Sequence, residues 1–174
     1  GKLKINAGNQ NNHMGGYSSL YKKNKEFVSP GYYKVHLERY NIDVELTASE
    51  RVGFHKYKFP YSKQSRVIID LGEGSADRPT QTYLKKINDT LFYGYRFSSG
   101  WAADQREYFS LILSKPATNF MLYDRNIRHY KDELKGKYVK GFLEFKTRSN
   151  ENVYVKMGVS TVSSENALDN LMKE

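Results

Sequence analysis

The feature that most constrains this chain is a period of two. In "YYKVHL", Tyr33, Val35 and Leu37 fall on one side and Lys34 and His36 on the other. "VELTAS" sets Val44, Leu46 and Ala48 against Glu45, Thr47 and Ser49. "LFYGYRF" puts Leu91, Tyr93, Tyr95 and Phe97 on one side, and "FHKYKF", "EYFSLIL", "KYVKGFLEF" and "NVYVKMGV" obey the same rule. Successive side chains of a strand point to opposite faces, so such runs mark half-buried strands. "RVIIDLG" is nearly continuous, which predicts a central strand buried on both faces. About nine runs at regular spacing, rich in β-branched and aromatic residues, predict an all-β chain: an antiparallel two-sheet β-sandwich.

The period changes once. In "SSENALDNLMKE", Ala167, Leu168, Leu171 and Met172 follow helical spacing, with Ser163 or Ser164 as cap and Glu165 in the first turn. A short C-terminal helix is expected there. Two stretches lack any period. "NAGNQNNHMGGYSSLYKKN" is rich in Gly and Asn, and "GEGSADRPTQT" reads as a second long loop. The organisation expected is an entry segment over 1–30, a sandwich domain over 31–162 and a helix over 163–174.

Composition removes several classes of function. With no cysteine, thiol catalysis, disulfides and cysteine metal sites are excluded. No run reaches the roughly 18 apolar residues of a membrane span. The net charge of +9 favours an anionic partner only where the cations cluster. Here the lysines are scattered, as on solvated strand faces, and nucleic acid is not the expected partner.

Catalytic signatures are missing. His13, His36, His55 and His129 have no ligand spacing on one element, so no metal site is expected. Asp70, Glu73 and Asp77 do not follow a calcium-loop pattern and read as loop solvation. There is neither a G-x-S-x-G elbow nor a P-loop.

The remaining candidates lie in "ELTASERVGFHKYKFP" and "SSGWAADQREYF". His55 shares a strand face with Tyr57 and Phe59, so it is either a satisfied core histidine or a contact residue. Arg51 sits in a turn before Gly53, and a bidentate pair with Glu45 is expected to hold that turn. Trp101, the one tryptophan, either plugs the end of the sandwich or offers an apolar face to a sugar ring.

Four ordered strings, "SPGYYKVHLERYNIDVELTASERVGFHKYKFP", "RVIIDLG", "GYRFSSGWAADQREYFSLILSKP" and "VYVKMGVSTVSSENALDNL", resemble the N-terminal domain of glycoside hydrolase family 92. The resemblance runs from about Ser29 to the C-terminal helix, and it implies a β-sandwich (supersandwich-like). Members are mostly bacterial, exo-acting, inverting, calcium-dependent α-mannosidases. It further implies that the catalytic carboxylates and much of the calcium site belong to a helical barrel of the same polypeptide, outside this chain. The chain is then part of a secreted, periplasmic or cell-surface enzyme for mannose-containing glycans, inactive alone, with the helix over 163–174 starting a linker. Glu45, Thr47, Arg51, Gly53, His55, Tyr57, Phe59 and Trp101 match positions of the family pattern, but none receives a catalytic role. Arg51, His55 and Trp101 are the candidates for sugar contact or for the domain interface. The rival reading is a free-standing module that binds carbohydrate or nucleic acid.

Overall fold

In chain order the strands are β1 (Glu26–Ser29), β2 (Tyr32–Leu37), β3 (Ile42–Ala48), β4 (Val52–Phe59), β5 (Ser62–Asp70), β6 (Arg78–Lys86), β7 (Leu91–Ser99), β8 (Gln105–Leu113), β9 (Asn119–Asp124), β10 (Ile127–His129), β11 (Glu133–Gly136), β12 (Val139–Thr147) and β13 (Glu151–Ser160). The helix α1 (Ser164–Lys173) closes the series. The computed structural model describes residues 3–8, 15–74 and 76–174. His13 and part of the Gly/Asn-rich entry segment fall outside them.

Two antiparallel sheets form. The larger runs β1-β2-β3-β4-β13-β8-β7-β6-β11 and the smaller β10-β9-β12-β5. The core lies between them. Phe59, Phe92, Phe109 and Leu113 come from the larger sheet, and Leu122, Leu143 and Phe145 from the smaller. Phe59 and Phe145 meet edge to face at 5.5 Å, a geometry favoured by their ring quadrupoles.

Several expectations need correction. "RVIIDLG" is no central strand: β5 forms the edge of the smaller sheet. The strand buried on both faces is β12, where Val139 to Leu143 are all buried. Its Phe142 meets Met121 and Tyr123 on the outer side, beneath Leu3 and Ile5 of the N-terminal segment. A run of apolar residues therefore reports burial of both faces and says nothing about sheet position. The loop "GEGSADRPTQT" is also shorter than expected, because Arg78 onward joins β6. Pro79 is tolerated there because the register shifts between Pro79 and Gln81, and proline fits a bulge.

The helix packs back on the sandwich. Ser163 caps it, accepting from the Asn166 N–H at 3.1 Å. Ala167 and Leu171 are buried, while Met172 is 69% exposed, so the predicted stripe is only half used. Ser110 donates from under the helix to the Ser164 carbonyl at 2.6 Å. Gly158 makes the approach possible, since a Cβ there would overlap the Ala167 carbonyl oxygen and crowd Leu171.

Candidate functional site

Glu45 and Arg51 do not pair. Glu45 lies opposite Lys56 in the β3–β4 ladder, and Lys56 Nζ stands 3.0 Å from its carboxylate. The Tyr32 hydroxyl donates to the other oxygen at 2.7 Å. These two donors, Tyr32 first, hold the carboxyl below the usual range. Arg51 sits in the turn, off the ladder, and reaches α1 instead. Its Nε lies 3.2 Å from Glu174 Oε1, and its backbone N–H donates to Oε2 at 3.2 Å. Residues close in sequence were expected to pair, but strand register carried Glu45 to a nearer cation.

His55 lies on the inner face of β4, opposite Val155 of β13. Its Nδ1 and the Tyr57 hydroxyl are 2.8 Å apart in a hydrogen bond. Burial lowers its pKa, because desolvation disfavours the imidazolium. His36, by contrast, sits beside a carboxylate, with Nδ1 2.7 Å from Asp43.

Trp101 does not plug the sandwich. It is 103% exposed, in the bend between β7 and β8. Ala76 and Asp77 occupy the end of the sheet instead, so close to Gly100 that a Cβ there would be 2.8 Å from the Ala76 carbonyl oxygen. With the backbone filling that space, the indole stands in solvent.

The three candidates do not converge. Arg51 and Trp101 lie toward the same end of the larger sheet. The ladder places Val52 by Gly158 and Gly158 by Ser110, well short of the β7–β8 bend. Strand spacing and rise separate the two backbones by on the order of 20 Å. His55 lies further down β4, on the opposite face from Lys56.

What does converge is the set of loops at the Trp101 end, and much of it was read from the sequence as loop solvation. Arg96 grips Asp77 with both terminal nitrogens, at 2.5 and 2.9 Å, and its Nε donates to the Leu71 carbonyl at 3.2 Å. That grip, Arg96 first, holds the Asp77 carboxyl at about 2. At the other end of the loop, Asp70 takes Lys140 Nζ at 3.0 Å and the Tyr17 hydroxyl at 2.5 Å. Burial first, then Asp70, pushes the Tyr17 phenol far above its ordinary value. Lys140 is only 4% exposed, and a buried ammonium needs such a partner.

Beside this pair is a hollow of about 350 Å³ lined by Asn6, Gly72, Glu73, Arg125, Asn126 and Lys140. Gly72 and Glu73 line the hollow, and Ala76 and Asp77 lie against Gly100, the residue before Trp101. Amide, guanidinium and carboxylate groups around a small hollow suit a polyhydroxyl ligand. A cation fits less well, since Asp70 and Asp77 are already taken by Lys140 and Arg96. Among the described residues no three His, Cys, Asp or Glu side chains gather as metal ligands. Sequence reading missed Lys140, Arg125 and Asn126. Only Lys140 left a signal, as a cation on the same strand face as Phe142 and Glu144 in "KGFLE".

The family described as Glycosyl hydrolase family 92 N-terminal domain matches residues 1–160. The family GH92 alpha-mannosidase BT3965 of Bacteroides thetaiotaomicron superposes with a TM-score of 0.94 at 28% identity, over 99% of this chain and 24% of that one. The same enzyme in complex with mannoimidazole gives the same values. The family GH92 inverting mannosidase BT2199 of that organism shares the fold, with a TM-score of 0.78 at 19% identity over 90% of this chain and 21% of its own. No curated protein matches. This chain thus spans less than a quarter of the mannosidase chains it resembles. A match over residues 1–160 of 174 leads to one conclusion: the chain belongs to glycosyl hydrolase family 92, as its N-terminal β-sandwich domain.

Proposed function

We propose that this chain serves a longer exo-acting α-mannosidase as its non-catalytic N-terminal sandwich. The observation that carries the reading is the likeness to a family GH92 alpha-mannosidase over 99% of this chain but 24% of that one. In this reading the loop end of the sandwich packs on a helical catalytic barrel and completes its sugar pocket. Trp101 stacks on a mannose ring, and the polar hollow by Lys140 orients hydroxyls. The fully exposed indole supports this role, because a large apolar ring in solvent gains by being covered. Arg51, tied to Glu174, and His55, turned into the sandwich, act as structural residues.

The parent is further proposed to be bacterial and to act outside the cytoplasm on mannose-containing glycans. Its calcium is assigned to ligands outside this domain, in keeping with the ion pairs that occupy Asp70 and Asp77.

Turnover of an aryl α-mannoside by this chain and by the parent polypeptide tests the reading. The parent is expected to be active, to lose activity with a calcium chelator and to regain it with calcium. This chain alone is expected to be inactive, because inversion needs two carboxylates about 6.5–9.5 Å apart around the bond. Trp101→Ala in the parent is expected to lower kcat/KM by about tenfold or more. Turnover by this chain alone, or an unaltered Trp101→Ala parent, would count against it.

A further inference from the structure

The two sheets are unequal, nine strands over four, and the excess lies on one side. The smaller sheet ends at β5, while the larger continues past β4 into β3, β2 and β1. Among the described residues no strand lies beneath the inner face of that overhang. The gap is a groove of about 700 Å³, walled by Leu37, Ile42 and Tyr57, floored by Val67 and Ile68 of β5, and bordered by Leu3 and Tyr17 of the N-terminal segment.

The four sheet edges are not alike. β1 and β11 have four residues each and β10 has three, whereas β5 has nine. Proteins blunt edges with very short strands, because a long edge presents a row of unpaired backbone groups. β5 is the exception. Leu71 N–H donates to the Val139 carbonyl at 3.0 Å, and Asp70 lies opposite Lys140. Bonded pairs alternate along an antiparallel ladder. Ser65, Val67 and Ile69 therefore face β12, while Arg66, Ile68 and Asp70 turn their N–H and C=O groups outward. Among the described residues these outward groups have no backbone partner.

We propose that this edge takes one more strand, an extended segment from the remainder of the parent polypeptide, which pairs with 66–70 and continues the smaller sheet beneath β3 and β2. The inference rests on the reading that the chain belongs to a longer mannosidase. An unpaired period-two row of backbone donors and acceptors is matched by another backbone. The aliphatic and aromatic wall takes the alternate side chains of that strand. No acidic side chain lines the groove, while Lys4 does, so an acidic residue on the incoming strand fits beside Lys4; Arg66 is already held by Glu144 at 2.6 Å. The occupant comes from the same polypeptide because the matched enzyme holds most of its length outside this domain. A tethered segment has a high effective concentration at the edge.

Residue-resolved hydrogen exchange on this chain and on the parent decides the matter. In this chain the Arg66, Ile68 and Asp70 amides are expected to exchange fast, and those of Val67 and Ile69 slowly. In the parent the outward three are expected to slow by about tenfold or more, as paired amides open only through local or global unfolding. Fast exchange of these three in the parent would overturn the proposal. So would protection in this chain that grows with concentration alongside a dimer in sedimentation, which would assign the edge to a second copy. A gene product no longer than this chain would instead overturn the parent reading, and a denaturing gel shows that separately.

Discussion

Arg51 reaches across to Glu174, with its Nε 3.2 Å from Oε1, and so ties the β3–β4 turn to the last turn of α1. Ser49 adds its hydroxyl to the same carboxylate. The turn and the helix end share one charge-assisted clasp.

The clasp is solvent-facing, and exposed pairs contribute little to global stability. Arg51→Ala is expected to leave the melting temperature unchanged while speeding amide exchange in Asn170–Lys173. A large fall in melting temperature would instead make Arg51 a support of the whole turn.

Gly158 carries more weight. Gly158→Ala puts a methyl group into the Ala167 carbonyl and against Leu171, and overpacking costs about 1–3 kcal/mol. The helix is expected to lift from β13, so that α1 amides lose protection before the strands do. Unaltered exchange across α1 would show that the helix is held elsewhere.

The Asp77–Arg96 grip predicts an acid response. The folded carboxyl titrates at about 2, below the roughly 3.9 of an unfolded aspartate. Its stabilisation is thus complete above pH 4 and is lost as pH falls toward 2. Arg96→Ala is expected to cost about 1.5–3 kcal/mol at neutral pH. Asp77→Asn is expected to flatten the stability curve between pH 4 and 2, as read by denaturant titration. An undiminished acid slope in Asp77→Asn would assign that slope to other carboxylates.

His55 gives a second window. Burial lowers its folded pKa, so the fold favours the neutral ring. This contribution is present above the unfolded value of about 6.5 and fades as pH falls through the lower folded value. His55→Leu is expected to remove the part of the stability slope lying just below pH 6.5. A parallel slope in the variant would show that His55 accepts its proton freely.

The sandwich was legible because alternation is local: each half-buried strand declares itself in six or seven residues. Edge strands were not. β10 and β11 are too short to show a period, and β5 looked central because Ile68 and Ile69 are covered on opposite faces by different layers. The sites were less legible still. Asp70 meets Lys140 across a ladder formed by segments about 70 residues apart, and no spacing rule reaches that far. Glu45 and Arg51 misled because nearness in sequence counts for less than register once a strand runs out to its turn.

Trp101 is the one indole in the sequence, and it stands in water in the folded domain. Its fluorescence should therefore barely notice unfolding, which moves the ring from one hydrated setting to another. The same emission should shift to the blue and brighten when anything covers the loop end. The protein thus carries an intrinsic dye that is blind to melting and sensitive to docking.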